Sequence, residues 1–264
     1  MVCVRGITRG KLGSVVVLAA AVVPHPPLLV PDLAAGAAGL VAPLLAACDT
    51  VVARLLDRRP RLVVLIGSGS GTRTWSDRDT GTFGGFGGPS GRTGLGTTGL
   101  GTAGVVRSVG LLPLSLSIGR WLLARAGWAD GPVLLQEVAA SSSVEDCRRL
   151  AVLLAAEAGP EAVWLVLGDG SNRRGPRSPG HDDPRAAGFD AGTADAFATG
   201  DPIALLGLDP GLATELGAAG RPVWQVLAAA VAADPGWPEI DASVHYDDAP
   251  FGVEYLVADW APRS

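Results

Sequence analysis

Two stretches of the chain, Leu62-Val63-Val64-Leu65-Ile66 and Val163-Trp164-Leu165-Val166-Leu167, are apolar at every position. A strand with one face in water alternates apolar and polar residues. Unbroken runs of this length instead describe strands buried on both faces, the pattern of a parallel sheet covered by helices. Each run stops at a glycine turn, Gly67-Ser68-Gly69-Ser70-Gly71 after the first and Gly168-Asp169-Gly170-Ser171 after the second. A third, β-branched run begins at Val15 and soon gives way to Pro24-His25-Pro26-Pro27. Proline locks φ and removes a backbone donor, so neither a helix nor a central strand continues through this segment. His25 is thereby held at the carboxyl end of a strand, where open α/β sheets build their sites. Its alternative role is a structural histidine satisfied within a tight turn.

Between these runs the pattern alternates. Leu33 to Leu56 is rich in Ala and Leu and predicts a helix with Asp32 near its start. Further helices are predicted over 117–126, 144–158 (capped by Ser142 or Ser143), 189–198, 202–206, 210–219 and 223–233. Val133 to Val138 predicts another strand. Residues 243–246 and 253–258 predict a closing hairpin through Asp247-Asp248-Ala249-Pro250. The fold class that follows is α/β: a single domain over residues 13–262 with a central mixed, largely parallel sheet flanked by helices. Residues 1–12 read as an N-terminal extension, and the Gly/Thr-rich stretch 67–104 as a loop or lid. The strand-end loops 24–31, 67–75 and 168–185 gather on one edge. Gly84-Gly85-Phe86-Gly87-Gly88 follows no strand and lacks a Lys-Ser/Thr ending, so it is not read as a phosphate cradle.

Charge and cysteine content narrow the function classes. A net charge of −5 without a basic run argues against a nucleic-acid surface. Cys3, Cys48 and Cys147 lack metal or redox spacing and read as buried thiols of a reducing compartment, which places the chain in the cytoplasm. Arg5, Arg9 and Lys11 followed by Val15 to Val23 mimic a signal peptide. The strand reading is preferred, because cleavage after Ala21 deletes that strand. No segment reaches the roughly 18 uninterrupted apolar residues of a membrane span.

The segments Pro24-His25-Pro26-Pro27-Leu28-Leu29-Val30-Pro31, Gly168-Asp169-Gly170-Ser171, Asp183-Pro184-Arg185, Phe189-Asp190, Gly200-Asp201-Pro202, Leu208-Asp209-Pro210 and Asp248-Ala249-Pro250-Phe251-Gly252-Val253 occur in an order that spans residues 15–260. In that order they resemble the class III extradiol ring-cleavage dioxygenase superfamily, beta-subunit type (protocatechuate 4,5-dioxygenase-like), whose architecture Memo-like proteins share. The resemblance implies an oxidoreductase that opens a catechol ring, assembles as a homodimer and holds non-haem Fe(II) on two histidines and a carboxylate. A further histidine serves as acid/base. Such a donor set leaves positions open for substrate and dioxygen on one metal. His25 matches the first ligand, and Glu254 or Asp169 is the candidate carboxylate. The second histidine has no counterpart in Gly67-Ser68-Gly69-Ser70-Gly71. Asn172 stands where the acid/base histidine is expected, and an amide does not exchange a proton near neutral pH.

Three readings follow. In the first, the family's chemistry persists in divergent form. Its candidate catalytic residues are Asp169, Ser171 and Asn172, with Arg173, His181 and Arg185 as candidate substrate contacts. In the second, the same crevice is repurposed to bind a small anion through Asp169, Ser171 and the arginines of the loop. In the third, His25 joins His181 or His245 in metal-dependent chemistry of another kind. Asp169 either orients His25 or caps the next turn. The arginines at 173, 174, 177 and 185 either grip a ligand or pair in solvent with Asp182, Asp183 and Asp190. His245-Tyr246-Asp247-Asp248 is either a hard-metal cluster or a solvated hairpin turn. Gly67-Ser68-Gly69-Ser70-Gly71 puts glycine at its centre and so fails the nucleophile-elbow pattern of serine hydrolases.

Overall fold

A computed structural model describes residues 17–86, 92–93, 110–234, 237 and 239–263. Among the described residues nine strands and eight helices follow in chain order. They are β1 (Val17–Val23), α1 (Pro31–Ala34), α2 (Ala38–Asp57), β2 (Leu62–Gly69), β3 (Arg73–Trp75), β4 (Gly81–Thr82), β5 (Arg92–Thr93), α3 (Leu114–Arg125), β6 (Val133–Ala139), α4 (Val144–Ala158), β7 (Ala162–Leu167), α5 (Arg185–Thr199), α6 (Pro202–Leu206), α7 (Pro210–Glu215), α8 (Arg221–Ala233), β8 (Ile240–Asp248) and β9 (Tyr255–Pro262). Seven strands form one sheet in the order β3-β6-β2-β7-β1-β9-β8, and β4 pairs with β5 apart from it. The four inner strands β6, β2, β7 and β1 run parallel. The flanking strands β3, β9 and β8 are antiparallel to their neighbours.

The apolar runs occupy the centre, and their side chains divide between two cores. Val64, Ile66, Trp164 and Val166 face α4, α5 and α8 on one side of the sheet. Val63, Leu65, Leu165 and Leu167 face α2 and α3 on the other. Each run therefore buries both faces, which explains the missing polar alternation. Helix α2 has the length and composition of a membrane span. Its apolar stripe, Val41, Leu44, Cys48, Val51, Val52 and Leu55, is used against the sheet instead. Helix α4 starts at Ser143, which accepts from the Asp146 amide at 3.1 Å in a capping box. Cys48 and Cys147 are buried free thiols; burial pushes Cys147 up to about 11.

Several boundaries differ from the sequence reading. Strand β2 runs on through Gly67 and Ser68 to Gly69, because parallel pairing with β6 continues to Ala139. Residues 73–75 then return to the main sheet as β3. The loop or lid read over 67–104 thus begins inside the sheet, and its residues 87–91 and 94–104 lie outside the described residues. Residues 1–12 lie outside them as well. Pro31 to Asp57 is broken at Ala35–Ala37 by a 3-10 turn and is not one helix.

Strands β1 and β7 are neighbours, but the chain leaves β1 toward the α2 face and leaves β7 toward the α5 face. Their carboxyl ends flank a topological switch point, the place where open sheets leave a crevice. Close backbone packing holds this point. A Cβ on Gly168 would lie 2.5 Å from the Cα of Gly220, and the Gly220 amide donates to the Asp169 carbonyl at 2.8 Å. Backbone cannot rotate away as a side chain can. Gly168→Ala is therefore expected to destabilise the protein by roughly 1–3 kcal/mol, read as a lower urea midpoint with an unchanged slope.

Candidate functional site

At the switch point the chain after β7 crosses the end of β1 and reaches the residue that precedes β9. The Gly168 amide donates to the Val23 carbonyl at 3.1 Å. Beyond it, Gly170 donates to the Glu254 carbonyl at 2.9 Å, and Glu254 donates back to the Ser171 carbonyl at 2.8 Å. His25 emerges beside this crossing. Its backbone amide donates to Asp169 Oδ1 at 2.8 Å, and its ring Nδ1 lies 3.4 Å from the same oxygen. The ring contact is too long and misaligned to count as a hydrogen bond. Asp169 therefore anchors the His25 backbone and leaves its carboxylate beside the ring. Both side chains are largely buried, with 12% and 20% of their surface exposed.

Behind the crossing lies a buried charge cluster. Asp190 Oδ1 accepts from the Ser171 amide at 2.9 Å, and Oδ2 accepts from the Ser171 hydroxyl. Arg174 donates to Glu254 Oε2 at 2.7 Å and lies 3.6 Å from Asp190. One guanidinium thus faces two buried carboxyl groups. Burial raises the pKa of Asp190 against the pull of Ser171 and Arg174. Burial, the nearby carboxylate of Asp247 and the field of Asp190 push Glu254 up to about 9, opposed by Arg174. Glu254 is consequently the member that keeps a proton at neutral pH. Its Oε1 is buried and finds no hydrogen-bond partner among the described residues. Tyr255 and Tyr246 close the other side of the crossing. Burial raises both hydroxyls, helped by Asp169 for Tyr255 and by Asp248 for Tyr246.

The candidate residues separate accordingly. His25, Asp169, Ser171 and Glu254 converge. Ser171 is fully buried and its hydroxyl is committed to Asp190, so it braces the turn. Asn172 packs between Gly180 and Gly217, its backbone N–H donates to the Leu216 carbonyl at 3.0 Å, and it belongs to the loop interior. Arg173 leans on Asp183 through charge. Arg185 pairs with Asp183 at 2.8 Å and Glu215 at 2.7 Å in solvent. His181 is exposed in a left-handed turn with φ 63°. His245 turns from Asp247 and Asp248 to Asp259, at 2.8 Å. Of the carboxylates paired with loop arginines in solvent by the sequence reading, Asp190 is instead buried. It lies on the inward stripe Ala186, Phe189, Asp190, Thr193 and Phe197 of α5. That spacing was visible in the sequence and was the signal to use.

The donor set for iron does not assemble from these residues. Glu254 spends Oε2 on Arg174, so that oxygen is already committed. At the β2 end, where a second histidine is expected, Glu137 accepts from the amides of Ser70 and Gly71 at 2.9 and 3.2 Å and from the Trp75 indole at 3.0 Å. Among the described residues no group of three His, Cys, Asp or Glu side chains is placed to hold a metal ion.

No protein-family model matches the chain, and no curated protein matches it. Among solved structures it is similar to the uncharacterized protein JW3007 from Escherichia coli K12, at 13% identity over 92% of this chain and 99% of that one, with a TM-score of 0.47.

The protonated Glu254 makes stability depend on pH. An unfolded glutamate loses its proton near its ordinary value, whereas the folded one keeps it up to about 9. Between those limits the folded chain binds the extra proton, so stability falls as pH rises through the window. Thermal melts from pH 5 to 9 are expected to show that decline. Glu254→Gln, which keeps the neutral shape, should flatten it and raise the melting temperature at pH 9.

Proposed function

We propose that this chain is a divergent relative of the class III extradiol dioxygenases that uses the switch-point crevice to bind a small polar molecule without iron. The observation that carries the reading is the engagement of Glu254 by Arg174 while His25 and Asp169 remain together at the crevice. With its carboxylate beside Nδ1, Asp169 favours the tautomer that carries a proton there, which leaves Nε2 as an acceptor for a ligand hydroxyl. Arg174 and Asp190 hold the crossing rigid, so the imidazole meets its ligand without reorganisation. A catechol-type molecule fits this chemistry as a neutral donor of two hydroxyls. In this reading the protein is a cytoplasmic binding protein.

The competing reading is ring cleavage at an iron centre built from an unusual donor set. Anaerobic reconstitution with Fe(II), followed by metal analysis and an oxygen electrode, separates the two. Iron no higher in wild type than in His25→Ala, with no oxygen uptake on adding catechol or protocatechuate, is expected. Histidine NMR should then show one imidazole shifting with added catechol, absent in His25→Ala, and Asp169→Asn, which removes the carboxylate charge beside the ring, should weaken that binding about tenfold. Stoichiometric iron with catechol-dependent oxygen consumption returns the chain to the dioxygenases.

A further inference from the structure

A second concavity lies on the α2 face, toward the amino end of β1 and away from the His25 crevice. The last turn of α2 forms one wall with Arg54, Leu55, Asp57 and Arg58. Strands β1 and β9 form the other with Ala19, Ala20, Asp259, Trp260 and Ala261, around a groove of about 180 Å³. That volume suits a ligand of only a few heavy atoms, well below the roughly 300 Å³ at which pockets for larger organic molecules begin.

The wall charges are arranged and not merely scattered. Asp259 is a hub: Oδ2 takes Arg54 Nε at 2.8 Å and Oδ1 takes His245 Nε2 at 2.8 Å. It is 14% exposed, so it fixes both partners from below and its own charge is spent on them. Arg54 keeps its outer N–H groups for another acceptor. Arg58 lies one helical turn further on, lines the same groove, and forms no ion pair among the described residues. Asp57 beside it likewise forms no ion pair among the described residues. The groove thus presents guanidinium donors and one free carboxylate together. The carboxyl-terminal end of α2 adds partial negative charge, which favours a cation. A simple anion meets Arg58 but is opposed by Asp57 and the helix end. A simple cation meets the reverse conflict. A molecule carrying both charges satisfies the set, and Ala19, Leu55 and Ala261 leave room beside it only for a short apolar group.

We propose that this groove binds a small zwitterion, an α-amino acid with a short apolar side chain, whose carboxylate is held by Arg58 and Arg54 and whose ammonium faces Asp57. The site is independent of the His25 crevice and of what binds there.

Three probes of similar size and different charge test it: alanine, propionate and isopropylamine, each titrated at matched ionic strength and followed by ligand-observed NMR with the full chain. Alanine is expected to bind saturably, at least tenfold more tightly than either singly charged probe. Arg58→Ala should lose that preference by about tenfold. Asp57→Ala should turn it toward propionate. Both residues are exposed at the end of a helix, so both variants fold, which circular dichroism checks. Equal binding of the three probes, no saturable binding of alanine, or alanine binding that survives both substitutions overturns the proposal.

Discussion

The carboxyl edge of the sheet depends on one crossing: the exchange of backbone hydrogen bonds between Gly170-Ser171 and Glu254 over the end of β1. Because β1 stops at Pro24, the chain leaving β7 can pass above it and meet the segment entering β9. That contact sets where Asp169 stands, and Asp169 in turn holds the His25 backbone. Asp190 braces the crossing from α5, through the amide and the hydroxyl of Ser171. The crevice is thus made by backbone geometry first. The ionisable side chains occupy places that geometry provides.

The same crossing explains why a carboxyl group such as Glu254 is tolerated inside. Two buried acids face one guanidinium, and the low dielectric makes two full negative charges there costly. Retaining a proton on Glu254 relieves the repulsion between the two acids. Elsewhere on the edge, Glu137 sits among amide and indole donors and holds the turn after β2. A carboxylate satisfied by three donors is a structural anchor. These two acids show opposite solutions to the same problem of burying a carboxyl group.

The strands were legible wherever burial leaves a signature in the residues. Leu62–Ile66 and Val163–Leu167 read as central strands because both faces are covered, and Val144–Ala158 read as a helix to the residue because a serine cluster precedes it; of the two caps it offered, Ser142 or Ser143, the second is used. The extension of β2 into Gly67-Ser68-Gly69 was not legible, since those residues are strand only through pairing with β6. Within the site, His25 and Asp169 were legible from prolines and glycines at strand ends. The pairing of Arg174 with Glu254 was not: nothing local at 174 distinguishes it from Arg173 or Arg177, and its partner arrives from the last hairpin. His245 looked like a member of the following acidic turn, but a bulge between Val244 and Tyr246 turns it to Asp259.

Sequence separation across the crossing has a kinetic meaning. His25 and Asp169 are 144 residues apart, and Arg174 and Glu254 are 80 apart. Contacts this distant form only after the intervening helices have packed, because long loops must close before the pairs gain anything from meeting. The site therefore has no local precursor: the β1 turn, the β7 turn and the closing hairpin become a crevice together or not at all. The amides of Gly170 and Glu254 are both spent across this crossing, so the crevice loses its shape only when the segments that made it part from one another.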